Sequence, residues 1–72
     1  MLYTREQLDD LYHFVVRADG EVYVFPQCVE SDFNNAVSDY VAEGYPWRVA
    51  RLMACCEVQS DLDDSREVAA RT

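Results

Sequence analysis

The side chains able to carry chemistry are few. His13 is the only histidine, and the cysteines are Cys28, Cys55 and Cys56. A nucleophilic triad needs a base beside its nucleophile. The one imidazole lies in Tyr12-His13-Phe14, a stretch that reads as strand, where a partly buried structural histidine is the simpler role. There is no CxxC pair, and Cys55 and Cys56 are adjacent, so in an extended chain their side chains point to opposite faces. That spacing does not build a zinc site with His13. An odd count with an adjacent pair does not build a secreted disulfide framework either. The thiols read as small hydrophobes in a reducing compartment. Gly20 and Gly44 are the only glycines, too few for a phosphate-cradling loop. Paired acids such as Asp9-Asp10 and Asp63-Asp64 are solvated when they lie on exposed helical turns, whereas a glycosidase or metal site needs acids converging in a cleft. Asp61 to Asp64 lacks the glycine-centred alternation of a calcium loop. These residues predict neither catalysis nor a bound cofactor or metal.

The elements that position these groups come next. Thr4 and Gln7 have the spacing of a capping box, which opens a short helix over about 5–11 with Tyr3 and Leu8 as its staple and Leu8, Leu11 and Tyr12 as its apolar stripe. His13 to Arg17 and Glu21 to Phe25 are β-branched and aromatic, and they flank Ala18-Asp19-Gly20, the signature of a hairpin. A two-residue Asp19-Gly20 turn pairs Arg17 with Val22; a three-residue loop pairs Arg17 with Glu21. The second is preferred, because it gathers Phe14, Val16, Val22 and Val24 on one face. Pro26 ends the strand, and 26–30 is a loop. Ser31 caps a helix over about 32–43, with Phe33, Ala36, Val37, Tyr40 and Val41 on one face and Asp32, Asn35, Asp39 and Glu43 on the other. Gly44 ends it. A third strand is predicted over about 48–58, with Ala50, Leu52, Ala54, Cys56 and Val58 inward. Ser60 then caps a last helix over about 61–70 whose first turn holds Asp61, Asp63 and Asp64.

The resulting expectation is one α+β domain over 1–72, in the order α-β-β-α-β-α. A three-stranded antiparallel sheet carries one main helix on one face and short helices at the two ends. Its other face shows Val15, Tyr23, Phe25 and Met53, an apolar group with the character of a contact surface.

Charge is the strongest compositional signal. Fourteen acids stand against six bases, all arginine, for a formal net charge of −8. Such a field repels nucleic acid and anionic membrane and steers the chain towards basic partners. No apolar run approaches the roughly 20 residues of a membrane span. The stretch Met1 to Glu6 has no basic region leading into an apolar one, so no signal peptide is read there and a cytoplasmic location is expected.

With Asp32, Asp39 and Glu43 on one helix, Asp61, Asp63 and Asp64 on another, 72 residues and no catalytic equipment, the chain resembles in general character the small acidic inhibitors of phages and mobile elements, including anti-CRISPR proteins. That resemblance implies a non-enzymatic protein that occupies a basic surface of a larger protein or nucleoprotein complex, by steric blocking or by imitating DNA, without itself binding nucleic acid. The acids named above, with Tyr23 and Phe25 as aromatic anchors, are the expected partner-binding residues. The alternative is a small structural or regulatory subunit that pairs through the open sheet face, as a homodimer or within an assembly.

Overall fold

The computed structural model describes residues 2–71. Its elements are α1 (Arg5–Leu8), β1 (His13–Ala18), β2 (Glu21–Pro26), a 3-10 turn (Gln27–Val29), α2 (Glu30–Ala42) and α3 (Trp47–Arg71). The fold is α+β, but among the described residues the sheet has two antiparallel strands, not three.

The missing strand is the first half of a helix. Residues 48–58 and 61–70, expected as a strand and a separate helix, belong to the one 25-residue α3. Buried Ala50, Ala54, Val58, Leu62 and Ser65 recur every three or four residues along it, the period of a helix face. After Pro46 the sequence contains neither glycine nor proline, so nothing interrupts the helix once begun. Ser60, expected as a cap, is an exposed mid-helix residue. Asp61, Asp63 and Asp64 therefore sit more than three turns inside α3, away from the N-terminal dipole invoked for them.

α1 carries the expected capping box. Thr4 accepts from the Gln7 amide, and the Gln7 side chain accepts from the Thr4 amide. The helix stops at Leu8, not Leu11, because the Asp10 carboxylate accepts from the Tyr12 N–H at 3.0 Å and bends the chain into a turn. Leu11 and Tyr12 are exposed, so the expected stripe does not form.

The hairpin takes the two-residue turn. Arg17 pairs with Val22, and Ala18 with Glu21. Asp19 and Gly20 both have positive φ, 52° and 77°, which is the type I′ geometry that matches strand twist. The one-residue difference from the preferred register exchanges the faces of β2. Phe14, Val16, Ala18, Tyr23 and Phe25 point to the helices, while Val22 and Val24 stand 60% and 59% exposed beside Val15. His13 is exposed rather than partly buried.

α2 follows the expected amphipathic pattern, with Phe33 and Val37 buried. It begins at Glu30 without a side-chain cap, so Ser31 does not serve as one; the preceding 3-10 turn leads directly into it. At its C-terminus Gly44 has φ 106°. The Gly44 N–H donates to the Val41 carbonyl at 3.0 Å and the Tyr45 N–H to the Tyr40 carbonyl at 3.1 Å, the two bonds of a Schellman motif. The Tyr40 and Tyr45 rings close it edge-to-face at 5.9 Å. This turn sends α3 back antiparallel to α2. The hairpin lies across the helix pair, with Phe14 edge-on to Phe33 at 5.4 Å, and the core between the layers contains Val16, Phe25, Val29, Phe33, Val37, Ala54, Cys55, Val58 and Leu62.

Two substitutions test this architecture. Gln59→Pro would be tolerated if a helix began at Ser60, but inside α3 it should cost about 3 kcal/mol, most of the stability a chain this size commands; urea unfolding followed by circular dichroism measures it. Gly44→Ala meets no atom within 4 Å, so its expected loss of about 1 kcal/mol comes from backbone strain alone, read in the same assay.

Candidate functional site

α2 and α3 leave a cleft of about 190 Å³ between them. Its walls are Asp32, Asn35 and Asp39 from α2 and Glu57 and Asp61 from α3, with Ala36 and Val58 in the same lining. The α2 residues fall at i, i+3, i+4 and i+7, one face of a helix. Glu57 and Asp61 are one turn apart on α3. The antiparallel turn at Gly44 brings the two faces together, so the cleft is a product of the Schellman motif as much as of the acids.

Asp32 is fixed in place. The Tyr3 hydroxyl donates to its Oδ2 at 2.5 Å. The Tyr3 backbone N–H donates to Ser65 Oγ at 2.9 Å, and that hydroxyl donates to the Asp61 carbonyl at 2.8 Å. Buried Ser65 therefore satisfies both of its hydrogen-bonding roles, and the N-terminal arm is pinned across α2 and α3 at the cleft. Burial, then the Asp32 carboxylate, raises the Tyr3 phenol well above its ordinary range. At the other end of the cleft the Glu57 carboxylate raises the Tyr40 phenol, with burial adding to the effect.

The arginines lie elsewhere. Arg48 pairs with Asp19 at 3.2 Å and Arg71 with Glu67. The Arg5 guanidinium donates to the Ala69 carbonyl, and Arg51 donates to the Arg17 carbonyl while lying 5.8 Å from the Phe33 and Trp47 ring centres. No arginine lines the cleft.

The residues expected from the sequence separate into four places. Asp32, Asp39 and Asp61 share the cleft, joined by Glu57, which a strand with Cys56 and Val58 inward would point outward. Glu43 is the C-cap of α2. Asp63 and Asp64 line a different cavity, of about 490 Å³, with Tyr23, Cys55, Cys56, Gln59 and Ser60. Phe25 is 1% exposed and stacked with Tyr23 at 6.1 Å; as a core residue it offers no surface to a partner. With Phe25 buried, Tyr23 turned inward and the third strand gone, the expected apolar face of Val15, Tyr23, Phe25 and Met53 does not exist. Reading 48–58 at helical period would have placed Glu57 and Asp61 on one side of one helix.

Among the thiols, burial pushes Cys55 and Cys28 above the ordinary cysteine range, with Arg51 acting against it at Cys55, which disfavours the reactive thiolate. Among the described residues no group of three or more His, Cys, Asp or Glu is placed to hold a metal ion, and no helix is long and apolar enough to cross a membrane.

The Tyr3–Asp32 link has a pH signature. Folding raises the Tyr3 pKa, so its contribution to stability is whole below the unfolded tyrosine value of about 10 and is lost as pH rises beyond it. Tyr3→Phe should cost about 1 kcal/mol near neutrality and flatten the alkaline loss of stability. Urea midpoints of the two proteins, compared from about pH 8 to about pH 11, measure the difference; parallel curves would show that the phenol is not held by folding.

Comparison with known proteins finds no family model, no curated protein and no solved structure that matches the chain.

Proposed function

We propose that this chain is a non-enzymatic binding protein that inhibits a basic, nucleic-acid-handling protein or complex by seating the α2–α3 cleft on its cationic surface. The observation that carries the reading is the cleft itself: four carboxylates, Asp32, Asp39, Glu57 and Asp61, converge from two helices, and no base is among the lining residues. Net charge alone supports only solubility. Converging carboxylates with Ala36 and Val58 between them support recognition of a lysine or arginine, whose aliphatic stem covers apolar surface while its head meets the acids.

Asp32 and Asp39 are seven residues apart, so they stand roughly 10 Å apart along α2, and Glu57 and Asp61 roughly 6 Å apart along α3. The result is two short rows of negative charge on rigid helices, not a single point. A partner surface that ordinarily holds a phosphate backbone presents cations in such rows. Occupying them excludes nucleic acid both by charge and by the bulk of the helix pair. The formal −8 of the whole chain adds long-range steering to the encounter. Glu43, at the end of α2, extends the acidic side of the molecule.

The test is retention of host proteins on the immobilised chain at low and raised salt, against the variant Asp39→Lys/Glu57→Lys. Asp32 is left intact because it holds Tyr3. The expected outcome is a nucleic-acid-binding complex that is retained at low salt, displaced by duplex DNA and lost by at least tenfold in the variant. Equal retention by both proteins, or retention indifferent to salt and DNA, would contradict the reading.

A further inference from the structure

The sheet stops short of covering the helices beneath it. In a hairpin closed by a two-residue turn the flanking pair, Ala18–Glu21, exchanges both of its hydrogen bonds, and so does every second pair beyond it, Val16–Tyr23 and Phe14–Phe25. The Gln27 N–H donates to the Tyr12 carbonyl at 3.2 Å, which continues the alternation. The N–H and C=O groups of Val22 and Val24 therefore point outward along the free edge of β2, and no other described backbone group bonds to them. The edge of β1 is guarded, since Arg51 donates to its Arg17 carbonyl at 2.8 Å. The β2 edge has no lysine and no bulge, and its one proline is the terminal Pro26, so it lacks the usual protection of an edge strand.

The flank of α3 beside that edge is also open. The cavity of about 490 Å³ lies between Tyr23 and the Cys55–Asp64 stretch of α3. Next to it a mostly apolar hollow is lined by Tyr40, Leu52, Met53, Cys56 and Glu57. The chain exposes 5007 Å², roughly 400 Å² more than a compact protein of this mass.

We propose that β2 pairs antiparallel with β2 of a second copy about a two-fold axis at Tyr23, making one four-stranded sheet β1-β2-β2-β1 across a dimer. In this register Val22 lies opposite the copy's Val24, and the two Val22–Val24 pairs exchange four hydrogen bonds from groups that now face solvent. Glu21 lies opposite the copy's Phe25, so no like charges meet across the edge even though each copy carries −8. Val22 and Val24 are β-branched, the residues that favour cross-strand pairing. Two strands span about 9.6 Å, close to the 8–10 Å separation of packed helices. The copy's α3 is thereby set alongside Cys56, and the copy's Tyr23, inward-facing like its twin, enters the 490 Å³ cavity. The acidic cleft meets this flank only at Glu57, which lines both the cleft and the hollow beside Cys56, and the strand pairing itself uses none of the cleft's residues.

Sedimentation equilibrium from micromolar to submillimolar protein is expected to give twice the 8.3 kDa chain mass as concentration rises, with the Val22 and Val24 amides protected from hydrogen exchange in step. Val24→Pro removes an outward N–H and leaves the β1 ladder intact; it should remain folded and sediment as a monomer. If that variant unfolds, Val22→Lys/Val24→Lys, which sets lysines opposite one another across the axis, decides in its place. A wild-type monomer at every concentration, a dimer that survives the deciding variant, or a dimer whose Val22 and Val24 amides exchange freely would each overturn the pairing.

Discussion

Everything else in this fold leans on one stripe of α3. Ala50, Ala54, Val58, Leu62 and Ser65 form a continuous buried line over roughly 24 Å of α3, a 25-residue helix whose roughly 37 Å is nearly the full 40 Å length of the molecule. α2 packs against one side of it and the hairpin against the other, while the N-terminal arm is fastened near its far end through Ser65. The small side chains of Ala50 and Ala54 set how near these neighbours come, and Val58 and Leu62 supply the volume that the alanines do not. A chain of this size has no second core to fall back on, so a break in α3 would separate the hairpin, α2 and the arm from one another.

The same helix also organises the surfaces. Gln59 and Asp61 are two residues apart and project about 200° apart around its axis. One side carries Glu57 and Asp61 towards α2 and completes the acidic cleft. The other carries Cys56 and Gln59 beneath the free edge of β2. The acidic cleft and the recess beneath the free edge of β2 are thereby held on one rigid rod, with Glu57 between them. The arginines fasten the ends: Arg48 and Arg51 tie the hairpin to the N-terminal turns of α3, and Arg5 ties α1 to its C-terminal turns.

Much of this was legible in the residues. Thr4 and Gln7 announce their cap, Asp19-Gly20 announces a hairpin, and Phe33 to Val41 announces α2. The errors have physical causes. Ala50, Ala54 and Val58 satisfy a period of two and a period of four equally well, since every fourth residue is also a second one. Leu62 fits both periods too; buried Cys55 and Ser65 fall off the period of two, and Cys56, expected inward, is exposed. Gathering the valines on one face favours the longer loop, but the turn decides the register: Asp19 accepts a left-handed conformation, which permits the type I′ geometry and leaves Val22 and Val24 outside. The acids of α2 could be read as one face. Their meeting with Glu57 could not, because it depends on α3 being a helix and on Gly44 reversing the chain.

Backbone chemical shifts over residues 47–71 test the central claim most directly. One uninterrupted helix predicts positive Cα secondary shifts from Trp47 through Arg71 without a break near Ser60, and the slowest amide exchange around Ala54, Val58 and Leu62. Extended-chain shifts over 48–58, or a non-helical interruption between Gln59 and Asp61, would contradict it, and with it the cleft and the open edge that this helix creates.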